Sequence, residues 1–99
     1  MMEKLERLAA AGIQLLPAPE ITTHYLLARD GFVVLIERKP DDGFGGIGAP
    51  GLLTERGLAP LVWRQDLPFF VTKDLELPAE PGQVEGIRRF QADLKQALS

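Results

Sequence analysis

Asp30 and Gly31 separate two runs of strand-forming residues, and this arrangement constrains the fold more than any other feature of the chain. An Asp-Gly pair between such runs predicts a β-hairpin with a two-residue type I′ turn. Both central residues of that turn need positive φ, which glycine adopts freely and aspartate tolerates. We therefore predict a hairpin over residues 22–38. The turn also sets the pairing of the strands, so His24 is expected opposite Glu37.

The predicted hairpin is apolar on both of its faces. Side chains alternate between the two faces of a strand, so each face receives every second residue. A hairpin with one face in water normally alternates apolar and polar residues, whereas residues 32–36 are apolar without a break. Both faces are therefore expected to be covered. One face carries Tyr25, Leu27, Val34 and Ile36, and the other carries Leu26, Ala28, Val33 and Leu35.

The size and charge of the chain are typical of a small soluble domain. Its 99 residues fit a single domain over residues 1–99, large enough to bury a core without a disulfide. The chain has no cysteine and a formal net charge of −3, with both signs present. A protein that binds nucleic acid would need a clustered basic surface, and no apolar run approaches the roughly 18 residues of a membrane span. We therefore predict a cytoplasmic protein that binds neither nucleic acid nor membrane.

Helical periodicity is found at both ends of the chain. Residues 2–11 have leucines one turn apart and end before Gly12, and the prolines in residues 15–19 then predict an extended connector. Near the other end, Pro81 suits the first position of a helix that we expect to run to about Leu98. Its apolar residues fall within an arc of roughly 140°, as expected of a helix face that lies on a sheet. They are Val84, Ile87, Phe90, Leu94, Ala97 and Leu98.

A second hairpin is predicted over about residues 60–73. Two strand-like runs flank residues 65–68, and a turn there would place Trp63 opposite Phe70. A tryptophan in so small a chain is expected in the core. Together with the hairpin over residues 22–38, this predicts an α+β fold. Its four-stranded, largely antiparallel sheet is covered by the N-terminal and C-terminal helices.

Five glycines lie between residues 43 and 51 and predict a loop between the two hairpins. Their spacing matches dinucleotide-binding loops, which however need a parallel strand–helix–strand unit. Here a hairpin strand precedes the glycines and a helix of about two turns, over residues 50–56, is expected after them. The stretch fits a mobile connector, a ligand lid or anion-binding loop, or a loop that binds a protein partner. The weak ligand-binding candidates are Gly43, Gly45, Gly46 and Gly48.

Few residues of the chain could support catalysis. His24 is the single histidine, cysteine is absent and the one serine is C-terminal, so histidine or cysteine metal sites and a serine nucleophile are not expected. The weak catalytic candidates are His24, Glu37 and Asp42, because a histidine beside carboxylates can transfer protons if the group faces a pocket. The cross-strand pair of His24 and Glu37 fits a structural ion pair equally well. We predict no metal and no cofactor.

Two functions remain open at this stage. The first is a non-enzymatic module that binds protein, because two helices can cover one face of a four-stranded sheet but hardly two. A second copy of the chain is the expected partner, since a two-fold interface needs only one self-complementary patch. A loop over residues 43–51 that folded back on the sheet would make this homodimer unnecessary. The interface would contain either Leu26, Val33 and Leu35 or Leu27, Val34 and Ile36.

The alternative function is that of a small-ligand-binding protein or a small enzyme. In this interpretation the glycine-rich residues 43–51 enclose a ligand beside His24, Glu37 and Asp42. No motif of the chain names a reaction, so the substrate class stays open.

Overall fold

A computed structural model of the protein describes residues 2–99. Helix α1 spans Met2–Ala10 and helix α2 spans Pro81–Leu98, and eight strands lie between them. The strands are β1 (Gln14–Leu16), β2 (His24–Arg29), β3 (Phe32–Arg38), β4 (Phe44–Ile47), β5 (Gly51–Thr54), β6 (Gly57–Arg64), β7 (Leu67–Val71) and β8 (Glu76–Pro78). They form one sheet in the order β1-β2-β3-β5-β6-β7-β8, with β4 also paired to β3. Every pair is antiparallel.

The first hairpin, formed by β2 and β3, has the predicted turn and register. Asp30 and Gly31 both have positive φ, at 54° and 86°. His24 lies opposite Glu37, and every residue pair between these two residues and the turn has the predicted register. The prediction is confirmed because the conformation of a two-residue turn determines the whole register of its strands.

The predicted strand number is wrong, although the α+β class and the antiparallel pairing are confirmed. The sheet has eight strands instead of four. Four segments that resemble connectors in sequence complete it, and they are residues 14–16, 44–47, 51–54 and 76–78. Each is only three or four residues long and has no clear alternation of its own. These segments become strands because a neighbouring strand presents unpaired N–H and C=O groups to them.

The glycine-rich stretch is part of the sheet rather than an open loop. Strand β4 pairs with one end of β3, where Ile47 lies opposite Ile36, and β5 pairs with the other end. The glycines allow close approach of neighbouring strands. A Cβ added to Gly51 would lie 2.0 Å from the carbonyl oxygen of Ala59 in β6, so a side chain cannot be accommodated there.

The short helix predicted over residues 50–56 is wrong, because β5 occupies most of this segment. At the end of β5, the hydroxyl of Thr54 accepts the amide N–H of Arg56 at 3.1 Å and donates to the carbonyl of Gly57 at 2.8 Å. This turn reverses the chain into β6. A helix of about two turns is too short to be stable alone, whereas β5 gains a strand partner on each side.

The second hairpin, formed by β6 and β7, has a different register from the predicted one. Its two-residue turn is Gln65-Asp66, with φ of 52° and 66°, so Trp63 lies opposite Pro68 instead of Phe70. The predicted core position of Trp63 is also wrong, since 57% of its surface is exposed. Non-glycine residues seldom adopt positive φ, and the sequence therefore gave no sign of this turn.

Both helices lie on the same face of the sheet. The predicted apolar face of α2 is confirmed, since Ile87, Phe90, Leu94 and Ala97 are all buried. A smaller cluster of Ala59, Phe70 and Ile87 continues the core under the first half of α2. The main core consists of Leu8, Ile13, Leu27, Val34, Ile36, Phe44, Phe90, Leu94 and Ala97.

Candidate functional site

The second face of the sheet carries neither helix, and we call it the helix-free face. Strand alternation assigns residues to it, because every neighbour of a core-facing strand residue points the other way. Leu26 lies opposite Leu35 on this face, and Leu53 at the end of β5 is 54% exposed. The face is therefore largely apolar from β1 to β7. Its apolar residues include Leu16, Leu26, Ala28, Val33, Leu35, Leu53, Leu58, Pro60, Val62 and Phe69.

A trough lies on the helix-free face where β4 and the residues after it contribute glycines instead of side chains. Its volume is about 460 Å³. Gly46 and Gly48 line it between Leu35 of β3 and the side chains of β6. His24 and Glu37 line it as well, so the structure brings ligand-binding and catalytic candidates from the sequence to one depression.

His24 and Glu37 are cross-strand neighbours, as predicted, but they do not form an ion pair. The Nδ1 atom of His24 instead lies 2.8 Å from the hydroxyl of Thr23. Among residues 3–99, no basic side chain lies within 4.0 Å of the carboxylate of Glu37. The two side chains therefore share a surface without the direct hydrogen bond through which an acid–base pair exchanges a proton.

Asp42, the third catalytic candidate, makes its main contact through its backbone. Its carbonyl accepts a hydrogen bond from the hydroxyl of Tyr25 at 2.6 Å, and the residue has a φ of 64°. Asp42, His24 and Glu37 all line a shallow depression of about 570 Å³ at the end of β3. No hydrogen bond joins any two of these three side chains in the described part of the chain.

The four glycine candidates have different environments. The amide N–H of Gly43 donates to Oδ1 of Asp41 at 3.0 Å and is therefore not free to bind an anion. A Cβ added to Gly48 would lie 2.8 Å from the carbonyl oxygen of Leu35, so this glycine is needed for packing, whereas a Cβ added to Gly45 would make a tight contact of 3.1 Å with Glu37. Only Gly46 has open space around its Cα. A strand follows the glycines, so no helix N-terminus adds its positive end to an anion site here.

The chain between β1 and β2 forms a groove that the sequence interpretation missed. β1 ends at Leu16 opposite Leu26, and Pro17 and Pro19 have no N–H with which to continue the ladder. The edge of β2 is therefore left open at His24. We call the space between this edge and residues 17–22 the connector groove, and its volume is about 580 Å³. It is lined by Leu15, Leu16, Pro17, Ala18, Pro19, Ile21, Thr22, His24, Tyr25, Leu26 and Arg38.

Arg38 lies at the connector groove and is held by an aromatic ring instead of a carboxylate. Its guanidinium carbon lies 4.5 Å from the centre of the Tyr25 ring. That ring is itself fixed by its hydrogen bond to Asp42 and by a tilted contact with Phe44, with ring centres 5.0 Å apart. Each of the other six arginines has a carboxylate within 4.0 Å in residues 3–99, and Arg38 has none.

A signal for this arrangement was present in the sequence. The predicted register already placed Arg38 beyond Glu37 on β3, diagonal to Tyr25 on β2, which is within reach of a long side chain. The prolines of residues 15–19 likewise predicted a connector that cannot pair fully with β2. Neither signal alone predicts the groove, because the groove forms where the connector and the end of β3 meet.

Comparison of the chain with protein-family models, with curated proteins and with solved structures found no match. Within residues 2–99, no group of three histidine, aspartate or glutamate side chains is arranged to hold a metal ion. Over the same residues, neither helix is both long enough and apolar enough to cross a membrane.

Proposed function

We propose that this protein is a non-enzymatic module that binds protein through its helix-free face, with a second copy of the chain as its first partner. The observation that carries the proposal is the position of both helices on the opposite face of the sheet. Leu53 is more than half exposed on the helix-free face, opposite the less exposed Leu58. A continuous apolar surface of this kind is uncommon on monomers, and a second apolar surface would remove it from water.

The structure favours one of the two interface sets that the sequence left open. Leu27, Val34 and Ile36 have no exposed surface, because they lie beneath the helices. The proposed interface therefore uses the set of Leu26, Val33 and Leu35, extended to Leu53 and the apolar residues of β6. Val33 is only 1% exposed, so it offers almost no surface to a partner.

The glycine-rich stretch does not replace a partner. Residues 43–51 would have made association unnecessary if they had folded over the second face. They instead lie within the sheet as β4 and the start of β5. Gly48 is needed for packing, Gly45 lies tightly against Glu37 and Gly43 has its amide N–H engaged. The alternative function of a ligand-enclosing loop therefore has little support.

The charges on the helix-free face are compatible with two-fold pairing. The apolar centre carries no charged side chain. One end carries His24 and Glu37, and the other carries Arg64 and Glu76, joined at 2.8 Å. Two copies packed face to face thus bury apolar residues at the centre while the charged groups stay at the rim, as in stable protein interfaces.

Sedimentation equilibrium in the micromolar range tests the proposal. The wild-type chain is expected to be a dimer, and Leu53→Asp is expected to be a folded monomer of 10.9 kDa. Leu15→Asp is the matched control, because Leu15 is 48% exposed but lies on the face that carries the helices. It should remain a dimer. A wild-type chain that is monomeric throughout this range, or a Leu53→Asp variant that still dimerises fully, would refute association through this face.

A further inference from the structure

We infer that the connector groove binds small organic acids in which one carboxylate is joined to an apolar body, and that Arg38 binds the carboxylate. This inference goes beyond the proposed function, although the groove shares Leu16, His24 and Leu26 with the helix-free face. The polar groups that would contact the ligand lie at the edge of β2 and the end of β3, away from Leu53.

The groove has the size and lining of a small-molecule site. Its volume of about 580 Å³ lies within the range of roughly 300–1,000 Å³ that is typical of ligand pockets. Leucines of β1 and β2 line it together with a wall from the connector that contains Pro17, Pro19 and Ile21. Proline side chains lose little conformational entropy when they contact a ligand, so this wall is suited to an apolar body.

Arg38 supplies a positive charge that is free and already positioned. Its guanidinium has no carboxylate within 4.0 Å in residues 3–99, so a bound anion does not have to displace one. The contact with the Tyr25 ring positions the guanidinium, and the hydrogen bond from Tyr25 to Asp42 holds the ring. A guanidinium fixed in this way loses less side-chain freedom on binding, and its planar fork matches a carboxylate.

The backbone of His24 provides a second polar group at the same place. In an antiparallel pair, successive residues direct their N–H and C=O groups to opposite sides. The amide of Arg38 bonds to the carbonyl of Thr23 at 2.9 Å, so Thr23 faces β3 and His24 faces the other way. β1 ends opposite Leu26, and His24 therefore has no ladder partner on that side. Its amide N–H is directed toward the groove and can donate to an anion.

The polar groups of the groove match a single negative charge. Among the described residues that line it, Arg38 is the only arginine or lysine, and none is an aspartate or glutamate. A cationic ligand would be repelled by the guanidinium, and a neutral one would leave its donors without a partner. A phosphate carries nearly twice the charge of a carboxylate and would need more donors than these residues offer. A ligand with one carboxylate and an apolar body fits both the polar groups and the apolar residues of the lining.

Binding of octanoate, octanol and octylamine to the wild-type chain tests the inference. We expect octanoate to bind most tightly by isothermal titration and to shift the backbone amide NMR signals of His24 and Leu26. In Arg38→Gln, octanoate affinity should fall at least tenfold and approach that of octanol. Arg88→Gln is the matched control, since Arg88 is an exposed arginine on α2 that does not line the groove. It should leave octanoate affinity unchanged.

Three results would overturn the inference. These are failure of octanoate to bind at millimolar concentration, binding no tighter than that of octanol, and binding to Arg38→Gln as tight as to the wild type. Thermal unfolding of both arginine variants shows whether their fold is intact, and the exposed position of Arg38 predicts that it is. The Leu53→Asp variant should bind octanoate at least as tightly as the wild type, because a monomer leaves Leu16 and Leu26 uncovered. Failure of the proposed function and failure of this inference are therefore distinguished.

Discussion

Arg29 of β2 reaches Asp93 of α2, with 2.7 Å between the Nη1 and Oδ2 atoms. The same Nη1 atom donates to the carbonyl of Ala11 at 3.0 Å, just after the end of α1. The guanidinium carbon also lies 5.7 Å from the centre of the Phe90 ring. One side chain thus joins the sheet, the last turn before β1 and the C-terminal helix.

Arg29→Gln is expected to lower the free energy of unfolding by about 1–3 kcal/mol. The side chain of Arg29 is only 17% exposed. Removal of its guanidinium leaves Asp93 and the carbonyl of Ala11 without their hydrogen-bond donor in a partly buried site. Arg64→Gln is the control, because Arg64 pairs with Glu76 at 2.8 Å but both side chains are about half exposed. Its loss should be below about 1 kcal/mol. Urea unfolding measures both, and equal losses would contradict the linking role of Arg29.

Gly51→Ala is expected to destabilise the protein by about 3 kcal/mol or more. The added Cβ would lie 2.0 Å from the carbonyl oxygen of Ala59, so β5 and β6 would have to separate. Gly46→Ala meets no atom within 4 Å and should change stability by about 0.5 kcal/mol or less. Urea unfolding compares the two. A tolerated Gly51→Ala would mean that the strands are not as close as described.

Asp66→Gly is expected to stabilise the protein by up to about 1 kcal/mol. Asp66 has a φ of 66°, which costs an L-residue more than it costs glycine, although glycine also gains freedom in the unfolded chain. The reverse change at the other turn, Gly31→Ala, should destabilise by about 1 kcal/mol, because φ at Gly31 is 86°. Thermal unfolding measures both shifts. A destabilised Asp66→Gly would point to a side-chain role for this aspartate.

Trp63→Ala is expected to cost about 1 kcal/mol or less, because more than half of the side chain is already in water. Phe70→Ala should cost about 3–5 kcal/mol, since Phe70 has no exposed surface and packs in the cluster beneath α2. The two variants are compared by urea unfolding. Acrylamide should also quench the fluorescence of Trp63 efficiently in the wild type. A protected Trp63 would show that another surface covers it in solution.

The elements that could be predicted are those determined by neighbouring residues. The turn at Asp30-Gly31 gave the whole register of the first hairpin, because two residues with known φ preferences set every later pair. Helix α2 was predictable for a similar reason, since Pro81 marks its start and its apolar residues repeat with the helical period. The prediction that the hairpin is apolar on both faces also followed from the order of residues 32–36.

The second hairpin and the short strands could not be predicted, because their conformations depend on distant parts of the chain. Gln65 and Asp66 adopt positive φ without a glycine, and the pairing of β6 with β5 and β7 compensates for this cost. Residues 44–47 are a strand only because the edge of β3 is free beside them. The local sequence pattern contains no information about either of these contacts with distant strands.

The features of the candidate sites likewise depend partly on neighbouring residues and partly on distant ones. The sequence by itself determined that His24 faces Glu37, that both hairpin faces are apolar and that the chain has one histidine and no cysteine. Only the tertiary structure decided that both helices cover the same face, because helix docking depends on the shape of the assembled sheet. It also placed the connector beside Arg38, forming a groove from residues about 20 positions apart. Alternation and turn chemistry act between neighbouring residues, whereas a surface site is assembled by the packing of distant segments.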